Sequence, residues 1–152
     1  MRSSILTLAA VAVAASVAPA QAQTALPASL VINVPFAFSH SGNLMPAGRY
    51  EVASGVGGSL WIKTAGKTAI SLFRSRTVKP DARGRMRFDC YGETNKCFLR
   101  QVIAPGSDVA LTFSVSKAEK EYMQTEEPRV AFVFVEEQLL RPRPRLLNDS
   151  LG

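Results

Sequence analysis

The sequence predicts an all-β domain: a single antiparallel β-sandwich or small barrel of about seven or eight strands, with one short helix near its C-terminal end. Three observations carry this prediction. Apolar and polar residues alternate in short runs, the mark of strands with one face on a core. Glycine and proline, 10 and 9 of 152 residues, interrupt those runs at close spacing. A helical start signal stands out only after residue 115, and no internal repeat is visible.

The first 22 residues read as an export signal. Met1-Arg2 opens it, an apolar run from Ile5 to Ala18 follows, and Ala20-Gln21-Ala22 fits a small-residue cleavage site. The run is shorter than the ~20 apolar residues of a membrane span. Residues 23–29 are then a linker, 30–136 the β-domain, and 137–152 an Arg/Pro-rich disordered tail around Arg141-Pro142-Arg143-Pro144-Arg145. No membrane span is expected after cleavage, and the product is expected in the periplasm or outside the cell. The net charge of +6 suits loose attraction to acidic polymers and names no partner.

The strands follow in order. Leu30, Ile32, Val34, Phe36 and Phe38 share one parity, so Leu30–Phe38 reads as one strand, at an edge or bulged because Pro35 lacks an N–H. Ser39–Asn43 reads as a polar loop. Met45-Pro46-Ala47-Gly48 fits a tight turn into Arg49–Ser54, with Tyr50 and Val52 inward. Leu60–Thr64 puts Leu60 and Ile62 on one face and Trp61 and Lys63 on the other. Trp61 there is either a ligand platform or a side chain lying under a loop or the late helix. Thr68–Arg74 is a further strand and Arg74–Gly84 a loop. Arg85–Tyr91 sets Met86, Phe88 and Cys90 inward against Arg85, Arg87 and Asp89. Gly92–Lys96 turns the chain into Cys97–Ile103, and Val109–Val115 alternates again. Ser116-Lys117-Ala118-Glu119 is a capping-box pattern opening a helix near 116–127, with Ala118, Tyr122 and Met123 on one face. Val130–Val135 is apolar on both parities, so it is either a buried strand or the start of the tail.

Cys90 and Cys97 are the only cysteines. In an oxidising compartment they are expected to form a disulfide stapling a hairpin. One histidine and two thiols do not make a zinc site, so neither metal nor cofactor is expected.

Val34-Pro35-Phe36-Ala37-Phe38, followed by Leu44-Met45-Pro46-Ala47-Gly48-Arg49-Tyr50-Glu51-Val52, resembles a family of small exported bacterial proteins abundant in acidobacteria. Their shared pattern is V-P-F-x-F, then L-P-A-G-x-Y-x-V, then a hairpin F-x-x-Y-G-x-x-x-F-L. Phe88-Asp89-Cys90-Tyr91-Gly92 through Cys97-Phe98-Leu99 is similar to that hairpin, and Ser116–Glu121 to the S-x-x-E-x-E that often follows. The resemblance covers roughly Val31 to Met123. It implies a small exported β-domain and carries over no site residue. The chain departs from the pattern at Met45, in its cysteine pair, and after Pro128.

Catalytic residues are not expected. His40 lies between Ser39 and Ser41, but neighbours in one segment do not converge as a triad does. No spacing pairs two carboxylates: Asp81, Asp89, Glu93 and Asp108 fall in or beside turns, and Glu119, Glu121, Glu126 and Glu127 around the helix. The strongest candidate is an anion-binding stripe of Arg74, Arg76, Lys79, Arg83, Arg85 and Arg87, opposed only by Asp81. The competing reading is a charged, solvated edge that guards against strand addition. Nucleic acid is not an expected partner, because Phe73 and Phe88 beside the stripe read as inward and leave no stacking platform. The function read here is a non-enzymatic exported β-domain, binding acidic envelope polymers or another protein through this basic surface. The alternatives are an envelope-acting hydrolase using His40 or paired carboxylates, and an assembly subunit using Val130–Val135 for strand addition.

Overall fold

The computed structural model describes residue 26 and residues 29–136. The predicted export signal, the tail and most of the linker lie outside the described residues. Eleven short strands and one helix follow in order: β1 Leu30–Val34, β2 Phe38–His40, β3 Asn43–Met45, β4 Gly48–Ser54, β5 Ser59–Thr64, β6 Lys67–Leu72, β7 Arg74–Thr77, β8 Arg85–Tyr91, β9 Lys96–Ile103, β10 Val109–Thr112, α1 Lys117–Met123 and β11 Arg129–Phe134. They form a two-sheet sandwich, not a closed barrel. One sheet runs β1-β4-β5-β6 and the other β11-β8-β9-β10-β7. All pairings are antiparallel except a short parallel one between β2 and β9.

The inward parity read from the sequence is the core. Ile32, Val34, Tyr50, Val52, Leu60 and Ile62 of the first sheet face Met86, Phe88, Leu99, Val102 and Leu111 of the second, all buried. Phe88 is wedged edge-on against Phe36 and Phe38, each with ring centroids 5.1 Å away. The Met45–Gly48 segment is scaffold: the buried Tyr50 donates its hydroxyl hydrogen to the Pro46 carbonyl and pins the turn. Cys90 and Cys97 stand directly opposite on β8 and β9 and form a buried disulfide.

The sequence reading is corrected at six places. The Leu30–Phe38 run is two elements. Pro35, which has no N–H for a ladder, follows the end of β1, and Phe38–His40 crosses to the other sheet. The supposed polar loop 39–43 is the β2–β3 hairpin, closed by Ser41 and Gly42 at φ +49° and +78°. Both central residues at positive φ is the geometry of a tight hairpin turn. Arg74–Thr77, read as loop, is the exposed edge strand β7. The run Val109–Val115 is a strand only as far as Thr112. The helix buries Glu119, with Tyr122 half-buried, and leaves Ala118 and Met123 exposed. Val130–Val135 supplies β11, an edge strand with Val130, Phe132 and Phe134 exposed.

Candidate functional site

The basic residues fall on one face of the second sheet but are not equivalent. Directly opposed residues of antiparallel strands share a face. The registers give one row Arg87–Gln101–Thr112–Arg74 and a second Arg85–Ile103–Ala110–Arg76, both crossing from β8 to β7. Three strand spacings separate the two ends, about 14 Å. At the β8 end the charges are engaged. Arg85 lies 2.5 Å from Asp81 and over the Phe132 ring, and Arg87 lies 3.1 Å from Asp89. Among the described residues, Arg85 Nε is buried and has no hydrogen-bond partner. At the β7 end Arg74 and Arg76 are exposed, as are Lys79 and Arg83 in the following loop. Arg83 caps the Phe134 ring. Among the described residues no carboxylate lies within 4 Å of Arg74, Arg76, Lys79 or Arg83. Within the expected stripe, Arg83, Arg85 and Arg87 therefore do not act as one outward set. Arg83 precedes β8, and the other two are held by aspartates.

Two of the carboxylates that no spacing paired do converge in one place. The registers Arg87↔Gln101 and Phe88↔Leu99 leave Arg100 as an extra residue on β9. Such a bulge re-aims a side chain. Here Arg100 reaches Asp89 at 3.3 Å and Glu119 at 3.6 Å. The Ser116 hydroxyl caps α1 by accepting from the Glu119 N–H, while the Glu119 carboxylate turns inward and accepts from Tyr91 at 3.4 Å. Tyr91, Phe98 and Tyr122 pack around these charges with centroids 5.9 Å apart. Burial pushes Glu119 above its usual range against the opposing pull of Arg100. Burial, then the Glu119 and Asp89 carboxylates, pushes Tyr91 up to about 12. This cluster has the makings of a structural latch holding α1 to the sheet.

His40 is the third feature. It is buried on β2, not in a loop, with its ring edge-on to Phe113 at 4.6 Å. Its Nε2 is 2.7 Å from the Ser71 hydroxyl on β6, 31 positions away. Burial alone lowers its pKa to about 4, so the ring is neutral at pH 7. The pair borders a pocket of about 430 Å³ that Glu119 also lines. Sequence reasoning missed Ser71, Arg100 and Phe113. Only Glu119 carried a signal, as the fourth residue of the capping box, and that signal pointed it at the helix end.

Trp61 is half-buried with its indole against Gly55, where an added Cβ would lie 2.2 Å from Nε1, and with Lys63 Nζ 4.7 Å from the ring centroid. It lies against a turn, one of the two placements expected. Among the described residues no helix is long and apolar enough to cross a membrane. Compared with protein-family models, curated proteins and solved structures, the chain matches none of them.

Proposed function

We propose that this chain is an exported, non-enzymatic β-sandwich that binds an acidic envelope polymer across the outward face of its second sheet. The observation that carries the reading is the pair of cross-strand rows ending in Arg74 and Arg76. They set cations that lack a carboxylate partner among the described residues on the edge strand β7, with two strands between them and Arg85 and Arg87 of β8, which Asp81 and Asp89 hold. A chain of acidic groups laid over that edge meets Arg74 and Arg76 first, with the half-buried Thr112 and Gln101 side chains next along the row of Arg74. The buried disulfide suits an oxidising compartment. The test is binding of the mature protein to polygalacturonate at rising salt. Exposed charges interact within a Debye length of roughly 10 Å at 0.1 M, so affinity falls steeply with salt. Arg74→Ser with Arg76→Ser weakens low-salt binding by about tenfold or more. Binding indifferent to both changes refutes the proposal.

The hydrolase reading keeps one favourable observation, the His40–Ser71 contact. Against it, a general base works best with a pKa near the operating pH, and burial holds this imidazole near 4. Among the described residues no carboxylate hydrogen-bonds to it, although such a partner orients the imidazole of a catalytic triad. Ser71 is therefore expected to resist a fluorophosphonate probe, and labelling at Ser71 that is lost in Ser71→Ala would restore the hydrolase.

A further inference from the structure

We propose that the pocket beside His40 is a second binding site, for an uncharged, polyhydroxylated ligand the size of one or two sugar rings. The pocket's volume, about 430 Å³, lies within the roughly 300–1,000 Å³ range of small-molecule sites. It is assembled from distant segments: the β2–β3 hairpin, the end of β6, β9, and the stretch from Phe113 into α1.

Its chemistry is hydroxylic and charge-neutral. Ser39, Ser41 and Ser114 line it, and among the described residues their hydroxyls make no side-chain hydrogen bond. Each can donate one hydrogen bond and accept two. Ser71 and His40 add a coupled pair whose imidazole stays neutral. Among the described residues the only other ionisable group lining the pocket is Glu119, and its oxygens are taken by Tyr91 and Arg100. A charged ligand entering here would lose water and gain no counter-charge, which is costly. A neutral ring carrying many hydroxyls finds partners of its own kind. Leu99, Phe113 and Val115 supply an apolar wall for its C–H surfaces. Convergent polar groups without internal partners, set against an apolar wall, are how small-molecule sites fix orientation.

This site is distinct from the basic face, and salt separates the two. The experiment is an amide NMR titration of the mature protein with cellobiose, with glucose and with glucuronate. Cellobiose and glucose are expected to shift amides of residues 39–42, 71–72 and 113–116, with millimolar affinity. That affinity is expected to be unchanged by high salt and by Arg74→Ser with Arg76→Ser. Glucuronate, a similar ring bearing a carboxylate, binds more weakly. Ser39→Ala with Ser114→Ala, at half-buried and exposed positions, weakens cellobiose by about tenfold. Ser114→Trp fills the mouth and abolishes the shifts. The proposal is overturned if neither neutral sugar shifts these amides, if the serine variants bind as the parent does, or if glucuronate binds as tightly as glucose. Sugar binding that vanishes with salt or with the arginine variants also overturns it and assigns the ligand to the basic face. Loss of polygalacturonate binding alone leaves this site standing.

Discussion

Replacing Arg100 by methionine removes the guanidinium between Asp89 and Glu119 while keeping a stem of similar length. Both carboxylates are buried, Asp89 at 7% and Glu119 at 2% exposure. Removing one partner of a buried ion pair costs roughly 3–5 kcal/mol, because the remaining charge is left without compensation. Arg100 keeps 20% of its side chain exposed and its contacts are 3.3 and 3.6 Å, so the lower end applies, about 3 kcal/mol. For a domain of this size that is a fall in Tm of about 10–15 °C. The pH dependence adds a second readout. Glu119 has a folded pKa raised above its ordinary 4.5. The folded state therefore holds its proton more tightly, and the associated stability is fully present below 4.5 and declines as pH rises through the raised value. Arg100 opposes that rise, so Arg100→Met makes the decline steeper, and its deficit against the parent is smaller at pH 4 than at pH 7. Glu119→Gln removes the decline. Urea unfolding of the three proteins at both pH values measures this. A deficit below about 1 kcal/mol at pH 7, the level of a surface ion pair, or one equal at both pH values, refutes the latch.

Two further outcomes follow from the same structure. His40 has its pKa lowered from 6.5 to about 4, so the unfolded chain binds its proton first. Stability is fully present above pH 6.5 and falls by up to about 3 kcal/mol as pH drops to 4, and NMR of the imidazole at pH 6 is expected to show the neutral form. Converting Cys90 and Cys97 to alanine opens a loop of sequence separation 7, which costs about 2–3 kcal/mol in the chain-entropy account, read as a lower urea midpoint. An unchanged midpoint would show that the staple adds nothing.

Much of the scaffold was legible before folding. Ile32 and Val34, Tyr50 and Val52, Leu60 and Ile62, and Met86, Phe88 and Cys90 each share the apolar parity of their run and are buried, because a two-residue period reports directly on which side of one strand avoids water. The Ser116 cap and the Cys90–Cys97 pairing were local too, the second helped by a short hairpin. Elsewhere the same local logic misled. The parity of Phe36 and Phe38 continued that of Val34, which hid the crossing between sheets at Pro35. No spacing pairs Asp89 beside its turn with Glu119 on the helix, which hid their convergence on Arg100.

Length, period and punctuation in the sequence therefore determined the all-β class, the buried face of most strands, the start of the helix and the disulfide, and left sandwich and small barrel open. Only the tertiary structure decided which strands became neighbours, and with that every candidate site. Arg74 meets the row of Arg87 through two intervening strands, Arg100 reaches Glu119 through a bulge, and His40 meets Ser71 across 31 positions. The reason is physical: alternation records one strand's preference for water or core, whereas strand order and bulges are set by the joint packing of all the strands. No single stretch of the chain encodes that packing.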